Sequence, residues 1–356
     1  MRRIILTLIA LSVLISGLFA QAKPKRTYVV GFYNLENLFD TRHDKGKNDF
    51  EYLPEGKNQW TDVKYNKKLH NMAKVIKAMA KDNGRYHTIL GVSEIENRRV
   101  LEDLVNCEEI SDANYQIVHY DGPDRRGVDV ALFYKPEQFT FIESESIPFT
   151  FEGSQVKFTM NKEAQDNFRT RDILMVRGTI DGEMFAFFVA HLPSRIGGKG
   201  QDLRCRGAEI IRKRSIEIEK EFPGIKIVVM GDMNDNPTDD SMTRFIGAKE
   251  KQEEVGEHEF FSPFISMFKA GYGSLAYQGA WNIFDIILVN KALFKNKGGL
   301  TIQKINKKGY YARIYNAAFI TNQKGPYKNT PFRTFAGGTF MNGYSDHYPT
   351  YIVLAK

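Results

Sequence analysis

Cysteine is scarce in this sequence: only Cys107 and Cys205 occur in 356 residues. Neither lies in a Cys-x-x-Cys or Cys/His pattern, so a thiolate metal site is excluded. The two could form one disulfide in an oxidising compartment or remain free thiols, and the sequence leaves both open. No internal repeat of fixed period, low-complexity tract or linker divides the chain, which argues against a repeat architecture. No strong excess of one charge is present either. The formal net charge is +7, a mild basicity compatible with a polyanionic partner but weak evidence for one at this length.

Long apolar runs are also missing, except at the start. "MRRIILTLIALSVLISGLFAQA" begins with two arginines, continues uncharged from Ile4 to Ala22, and ends in the small-x-small spacing Ala20-Gln21-Ala22. It reads as a signal peptide, residues 1–22, cleaved after Ala22, with an uncleaved membrane anchor as the rival reading. The expected product is an exported protein, periplasmic or secreted. Residues 23–356 are expected to form one domain, without stable membrane anchoring or an obligate protein partner.

What remains is rich in strands. "TYVVGFYN" and "HTILGVSE" are apolar runs ending on polar groups, and the polar "RHDKGKNDFEYLPEGKNQW" between them reads as a surface loop. From about Asp62, Leu69, Met72, Val75, Ile76 and Met79 fall at helical spacing. "YQIVHY", "GVDVALFYKP", "FTFIES", "QVKFTM", "RDILMVRGTI" and "EMFAFFVAHL" read as strands, and "DLRCRGAEIIRKRSIEIEKEF" as a second helix with Ile210, Ile211 and Ile218 inward. "KIVVMGDMN" and "WNIFDIILVN" are further buried strands. Helices flanking blocks of consecutive strands predict α/β (α+β) layering.

One feature recurs. Apolar strands end on Asn34, Glu94, His191, and Asp232 with Asn234, while Asp346 and His347 stand just before the last strand. Any one could be a turn residue. Together they form a set of hard oxygen donors and two imidazoles at strand ends, where layered sheets build sites. Such donors without thiolates suit Mg2+ or Mn2+, with Ca2+ possible. Imidazoles suit proton transfer near neutrality, so the set suits metal-assisted hydrolysis of a phosphoester.

The stretches "NLEN", "SEIEN", "RGVDVALFY", "AHLPSR", "GDMNDNP", "FDIILV" and "SDHYP", in this order over about residues 28–354, resemble the endonuclease/exonuclease/phosphatase superfamily. That superfamily includes pancreatic-type deoxyribonuclease, apurinic endonucleases, bacterial sphingomyelinases and inositol-polyphosphate phosphatases. The resemblance implies a four-layer αββα sandwich of two mainly antiparallel sheets, deoxyribonuclease-like, with the site at one end. It implies Glu94 as the principal metal ligand, assisted by Asn34 and closed by Asp346. Asp232 and Asn234 would hold the scissile phosphate and attacking water. His347 would be the general base or an electrophilic phosphate clamp, oriented by Asp285, and His191 the second imidazole.

Arg126 and Arg195 are candidate substrate contacts, and Asp129 is expected to fix the tautomer of His191. Two positions complicate the pattern: Ser93 stands where the family has glutamine, and Glu96 offers a second acid two residues after Glu94. The expected activity is hydrolysis of nucleic-acid phosphodiesters; a sphingomyelinase-like lipid diesterase or a phosphomonoesterase is the alternative. The aromatic stretch "GYGSLAYQGAW" could stack bases or be a packed loop.

Overall fold

The computed structural model describes residues 26–356 apart from 278, 297, 306 and 307. The expected signal peptide therefore lies outside the described residues. Among those described, no helix is long and apolar enough to cross a membrane.

The strands are, in chain order, β1 (Thr27–Leu38), β2 (Ile89–Ile95), β3 (Gln116–His119), β4 (Asp129–Tyr134), β5 (Phe139–Ile147), β6 (Ile173–Ile180), β7 (Glu183–His191) and β8 (Lys226–Asp232). The second half adds β9 (Ala248–Lys249), β10 (Phe260–Phe261), β11 (Leu275–Tyr277), β12 (Ala280–Asn282), β13 (Asp285–Asn290), β14 (Thr301–Ile302), β15 (Ala312–Ile314), β16 (Phe335–Ala336), β17 (Thr339–Phe340) and β18 (Thr350–Ala355). One sheet runs β14-β18-β1-β2-β4-β3, with β15 also on β18; the other runs β5-β6-β7-β8-β13-β10-β9. Most neighbours are antiparallel, but β1–β2, β7–β8 and β9–β10 are parallel, so both sheets are mixed.

The sheets face one another: β1 lies against β8 and β13, β2 against β7 and β8, and β18 against β13. The central strands are buried on both faces: Val228 and Met230 of β8 share with Ile287 and Val289 of β13 the face on which Met230 meets Gly91 of the other sheet, while Val229, Ile286 and Leu288 fill the opposite face. Gly91 lets the sheets approach closely, since a Cβ there would come 2.7 Å from the Met230 sulfur and alanine would force that side chain to move.

Helices cover the outer faces. Helix α1 (Asp62–Asn83) buries Leu69, Met72, Val75, Ile76 and Met79, the expected stripe, against the first sheet. Gly84 ends it in the left-handed conformation, its N–H returned to the carbonyls of Ala80 and Lys81. Helix α2 (Arg98–Val105) packs on α1, capped by the Asn97 side chain on the Val100 N–H. The second sheet carries α4 (Gln201–Glu221) and the short α5 (Pro263–Lys269); the six-residue α3 (Lys162–Asn167) lies in a connection. Helix–sheet–sheet–helix is the expected four-layer order. Cys107 follows α2 and Cys205 lies in α4, both buried and both free, so they do not pair.

Three expectations differ. "QVKFTM" forms no strand; its Phe158 joins Phe151, Phe149 and Phe168 in an aromatic cluster, with ring centroids 4.8 Å apart for Phe151–Phe158. "WNIFDIILVN" breaks at Ile283–Phe284 into β12 and β13. The supposed surface loop after β1 drives Trp60 fully into the core, where it packs on Phe335 and Phe340 and donates Nε1–H to the Phe39 carbonyl at 2.9 Å. Polar neighbours in sequence concealed that anchor.

Candidate active site

The pairing of strands gathers the polar groups at one edge. In the parallel pair β7–β8, the last residues stand in register, His191 beside Asp232. β13 runs antiparallel to β8, so its first residue, Asp285, is set across from the last residue of β8. In the same way β18 runs antiparallel to β1, which places the Asp346–His347 turn at the edge reached by Asn34. Ends of some strands and beginnings of their antiparallel neighbours therefore meet.

Glu94 reaches the same edge by a bulge. The registers of β1 on β2 and of β2 on β4 both shift beside it, and a bulge re-aims a side chain that strict alternation would misdirect. Its backbone is left-handed, φ +57°, as are Glu36, Asn37 and Asn234 with φ of +47°, +52° and +50°. Such strained backbone in non-glycine residues clusters at functional sites. The Asn37 N–H fixes Glu94 Oε2 at 3.0 Å.

The contacts are close. Asn34 Nδ2 donates to Asp232 Oδ2 at 3.0 Å, while its Oδ1 accepts from the Glu36 N–H at 2.8 Å. His191 Nε2 lies 3.8 Å from Glu94 Oε1 and 3.7 Å from Asp232 Oδ2. His347 Nδ1 pairs with Asp285 Oδ2 at 2.8 Å, and its Nε2 faces the cleft, 3.8 Å from Asp232 Oδ2 and 4.0 Å from Asp346 Oδ1. Asp285, fully buried, also accepts from Ser274 Oγ at 2.5 Å. Asn234 is held by its N–H on Asp232 Oδ1 and its Nδ2 on the Leu192 carbonyl, both at 3.0 Å. Ser345 ties the turn down, donating to the Asn34 carbonyl at 2.7 Å and accepting from the His347 N–H at 3.1 Å.

Electrostatics separate the two imidazoles. Burial alone would lower the His347 pKa, but Asp285, Asp232 and Asp346 outweigh it and hold the ring well above its ordinary value. Burial, with the positive Arg171, Arg126 and His347 nearby, depresses His191 well below it. Burial raises Asp232 to about 7, with Asp285 and Glu94 adding to the rise against the opposing His347. A cation suits this place: Glu94, Asp232 and His191 offer ligand atoms within 4.8 Å of one another. The buried negative charge is one that a divalent ion would relieve.

Of the other expected residues, Asp346 is beside His347 but its Oδ2 is taken by Arg333 Nη2 at 2.8 Å. Arg195 is engaged by the Asn234 carbonyl at 2.9 Å, by Asp239 at 2.6 Å and by Asp235. Arg126 is half exposed, on the loop that Asp124 and Arg171 anchor. Glu96 faces away from the cleft, accepting from the Asp40 N–H at 2.8 Å. One expectation is corrected: Asp129 does not set the His191 tautomer. Its carboxylate lies against His119, 3.5 Å from Nε2, and His191 Nδ1 has no hydrogen-bond partner among the described residues.

A buried network escaped the sequence. Glu36 accepts from the Thr334 N–H at 2.7 Å and lies 3.7 Å from the Lys68 ammonium and 3.4 Å from Arg333 Nε. Burial and Asp346 push Glu36 up to about 7 against the pull of Lys68 and Arg333. Lys68 sits on the inward face of α1, and Arg333 comes from a loop without periodic pattern. The one available signal was Glu36 itself, inside "NLEN". Arg171 likewise went unnoticed, although it donates to the carbonyls of His191 and Leu192 at 3.0 and 2.8 Å.

Two mixed sheets face to face between helical layers, with acids, amides and imidazoles at one edge, define a deoxyribonuclease-like layered fold. The chain belongs to the Endonuclease/Exonuclease/phosphatase family, whose model matches residues 29–356, a family of hydrolytic phosphoesterases. Among solved structures it is similar to an endonuclease/exonuclease/phosphatase family protein from Bacteroides thetaiotaomicron, at 14% identity and TM-score 0.53, covering 93% of this chain and 98% of that one. A mannosyl-6-phosphatase from the same organism gives 14% identity and TM-score 0.52, with 92% and 99% covered. D. rerio TDP2 complexed with a single-strand DNA product gives 13% and 0.53, with 92% and 98% covered. No curated protein matches the chain.

Proposed function

We propose that the chain is an exported, divalent-metal-dependent phosphoesterase that hydrolyses nucleic-acid phosphodiesters. The observation that carries this reading is the Asp285–His347 pair aimed at Asp232, beside the Glu94, Asp232 and His191 donors. Glu94 would hold Mg2+ or Mn2+, with Asn34, Asp346, Asp232 and His191 adjoining. When bound, the ion neutralises phosphate charge and lowers the pKa of water.

The chain's own groups then divide the proton work. His347, kept protonated by three acids, donates from Nε2 to a phosphate or leaving oxygen, which favours the clamp role over that of base. Asp232, raised to about 7, is poised to accept the proton of the attacking water. Asn34 and Asn234 hold that carboxylate in place. Next to Arg333 and Asp346 lies a cavity of about 370 Å³ lined by Tyr277, Tyr327 and Phe332, aromatic surface on which a base can stack.

A phosphomonoesterase is the second reading, favoured by the likeness to a mannosyl-6-phosphatase. Purified residues 23–356 should be offered plasmid DNA, RNA, sphingomyelin, inositol phosphates and mannose 6-phosphate, each with Mg2+, Mn2+ or chelator. Metal-dependent cleavage of DNA or RNA is expected, and His347→Ala should lose at least about a hundredfold in rate. Cleavage of the monoesters alone would select the second reading and of sphingomyelin alone the lipid one; no cleavage of any substrate would end all three.

A further inference from the structure

The loop of residues 120–128, which carries Arg126, is closed at its neck by three side chains the proposed chemistry does not use. His119 ends β3 and Asp129 begins β4. Those strands pair antiparallel, so the two residues stand together, and Asp121 approaches the same point. His119 Nε2 lies 3.5 Å from Asp129 Oδ2 and 4.0 Å from Asp121 Oδ1. The ligand atoms of all three fall within 4.8 Å of one another.

The imidazole is what makes this more than a pair of acids. Its side chain is 3% exposed, yet Nε2 makes no hydrogen bond among the described residues, an arrangement that costs free energy unless something else binds there. The gap to Asp129 is too long for a good hydrogen bond. It suits a shared ion: bond lengths of about 2.05 Å to nitrogen and 2.1 Å to oxygen across that gap subtend roughly 115°, near tetrahedral. Asp121 is 80% exposed; moving inward by about 0.5 Å would bring it to the same distance from Nε2 as Asp129. Asp172, whose Oδ2 accepts from Ser146 Oγ at 3.0 Å, adds negative charge near Asp129.

We propose that His119, Asp121 and Asp129 form a second divalent-metal site, separate from the strand-end cluster, that clips the neck of the 120–128 loop. One imidazole nitrogen with two carboxylates is a donor set found at zinc sites, and we take a zinc-class ion as the occupant. The ion joins both ends of the loop and limits the positions open to Arg126, while Asp124 anchors the middle of the loop to Arg171 at 3.2 Å.

The test is calorimetric titration of the metal-stripped full chain with Zn2+, together with hydrogen exchange of the loop. Zinc stoichiometry should fall by one on His119→Ala, whatever zinc the strand-end cluster retains. Asp121→Asn, at an exposed carboxylate that leaves folding undisturbed, should weaken that equivalent at least about tenfold. Exchange in residues 120–128 should slow with zinc in the wild type and not in either variant. Unchanged stoichiometry and affinity in both variants, or zinc binding without protection of the loop, would overturn the site. Neither measurement reads catalysis, so the outcome is independent of the substrate.

Discussion

Replacing Asp285 with asparagine perturbs the proposed chemistry at one atom while preserving shape. Asp285 has no exposure, and its Oδ2 receives both the His347 Nδ1–H at 2.8 Å and the Ser274 hydroxyl at 2.5 Å. Hydrogen bonds to a charged partner contribute about 1.5–3 kcal/mol, so losing the charge should slow turnover by roughly 10- to 150-fold, since 1.4 kcal/mol corresponds to tenfold. The pH dependence is more diagnostic than the rate. His347 acts protonated, so activity falls on the alkaline side as it loses its proton. Asp285 is the largest charge raising its pKa; without that charge the pKa drops, and the alkaline limb must move to lower pH. The assay is kcat against pH for wild type and Asp285→Asn, with near-identical circular dichroism as the control for folding. An alkaline limb that stays in place, or moves upward, would refute the assignment of His347 as the proton donor.

Two further outcomes concern stability. His87 is fully buried, neither ring nitrogen is hydrogen-bonded among the described residues, and burial lowers its pKa to about 4. The unfolded chain, with a pKa near 6.5, takes up the proton first, so this residue's contribution is complete above about pH 6.5 and is lost as pH falls towards 4, amounting to roughly 3 kcal/mol. His87→Leu should therefore flatten the acid side of a denaturant-midpoint profile relative to wild type; parallel profiles would contradict it. The raised Glu36, Glu96 and Asp232 act in the opposite sense, and the difference between the two proteins removes them. Trp60→Ala should lower unfolding free energy by about 3–5 kcal/mol, because it empties the aromatic box of Tyr52, Phe335 and Phe340. A loss under 1 kcal/mol by chemical denaturation would show that the loop after β1 is not anchored there.

The sequence made the strand-end residues visible because apolar runs stop abruptly at Glu94, His191 and Asp232. Periodicity located the start of α1 and both ends of α4 to within a residue or so, since each buries a continuous stripe. What stayed hidden depends on pairing rather than pattern. Nothing local links Asp129 to His119 in preference to His191; that follows from β3 joining β4. Lys68 was equally opaque, a lysine among lysines until the fold turns it towards Glu36. The bulge at Glu94 and the left-handed backbone around it leave no mark in a chain that places no glycine there.

The two unpaired thiols have a practical corollary. Cys107 and Cys205 lie under opposite outer coats of the molecule, and burial pushes them up to about 12 and about 11. Only thiolate reacts with alkylating reagents, so each sulfur stays silent while its cover is seated, α2 and the turn after it for Cys107 and α4 for Cys205, and is labelled when that cover lifts. The protein thus carries two native probes, one per flank, whose labelling rates can show whether the halves of the sandwich loosen together or one before the other.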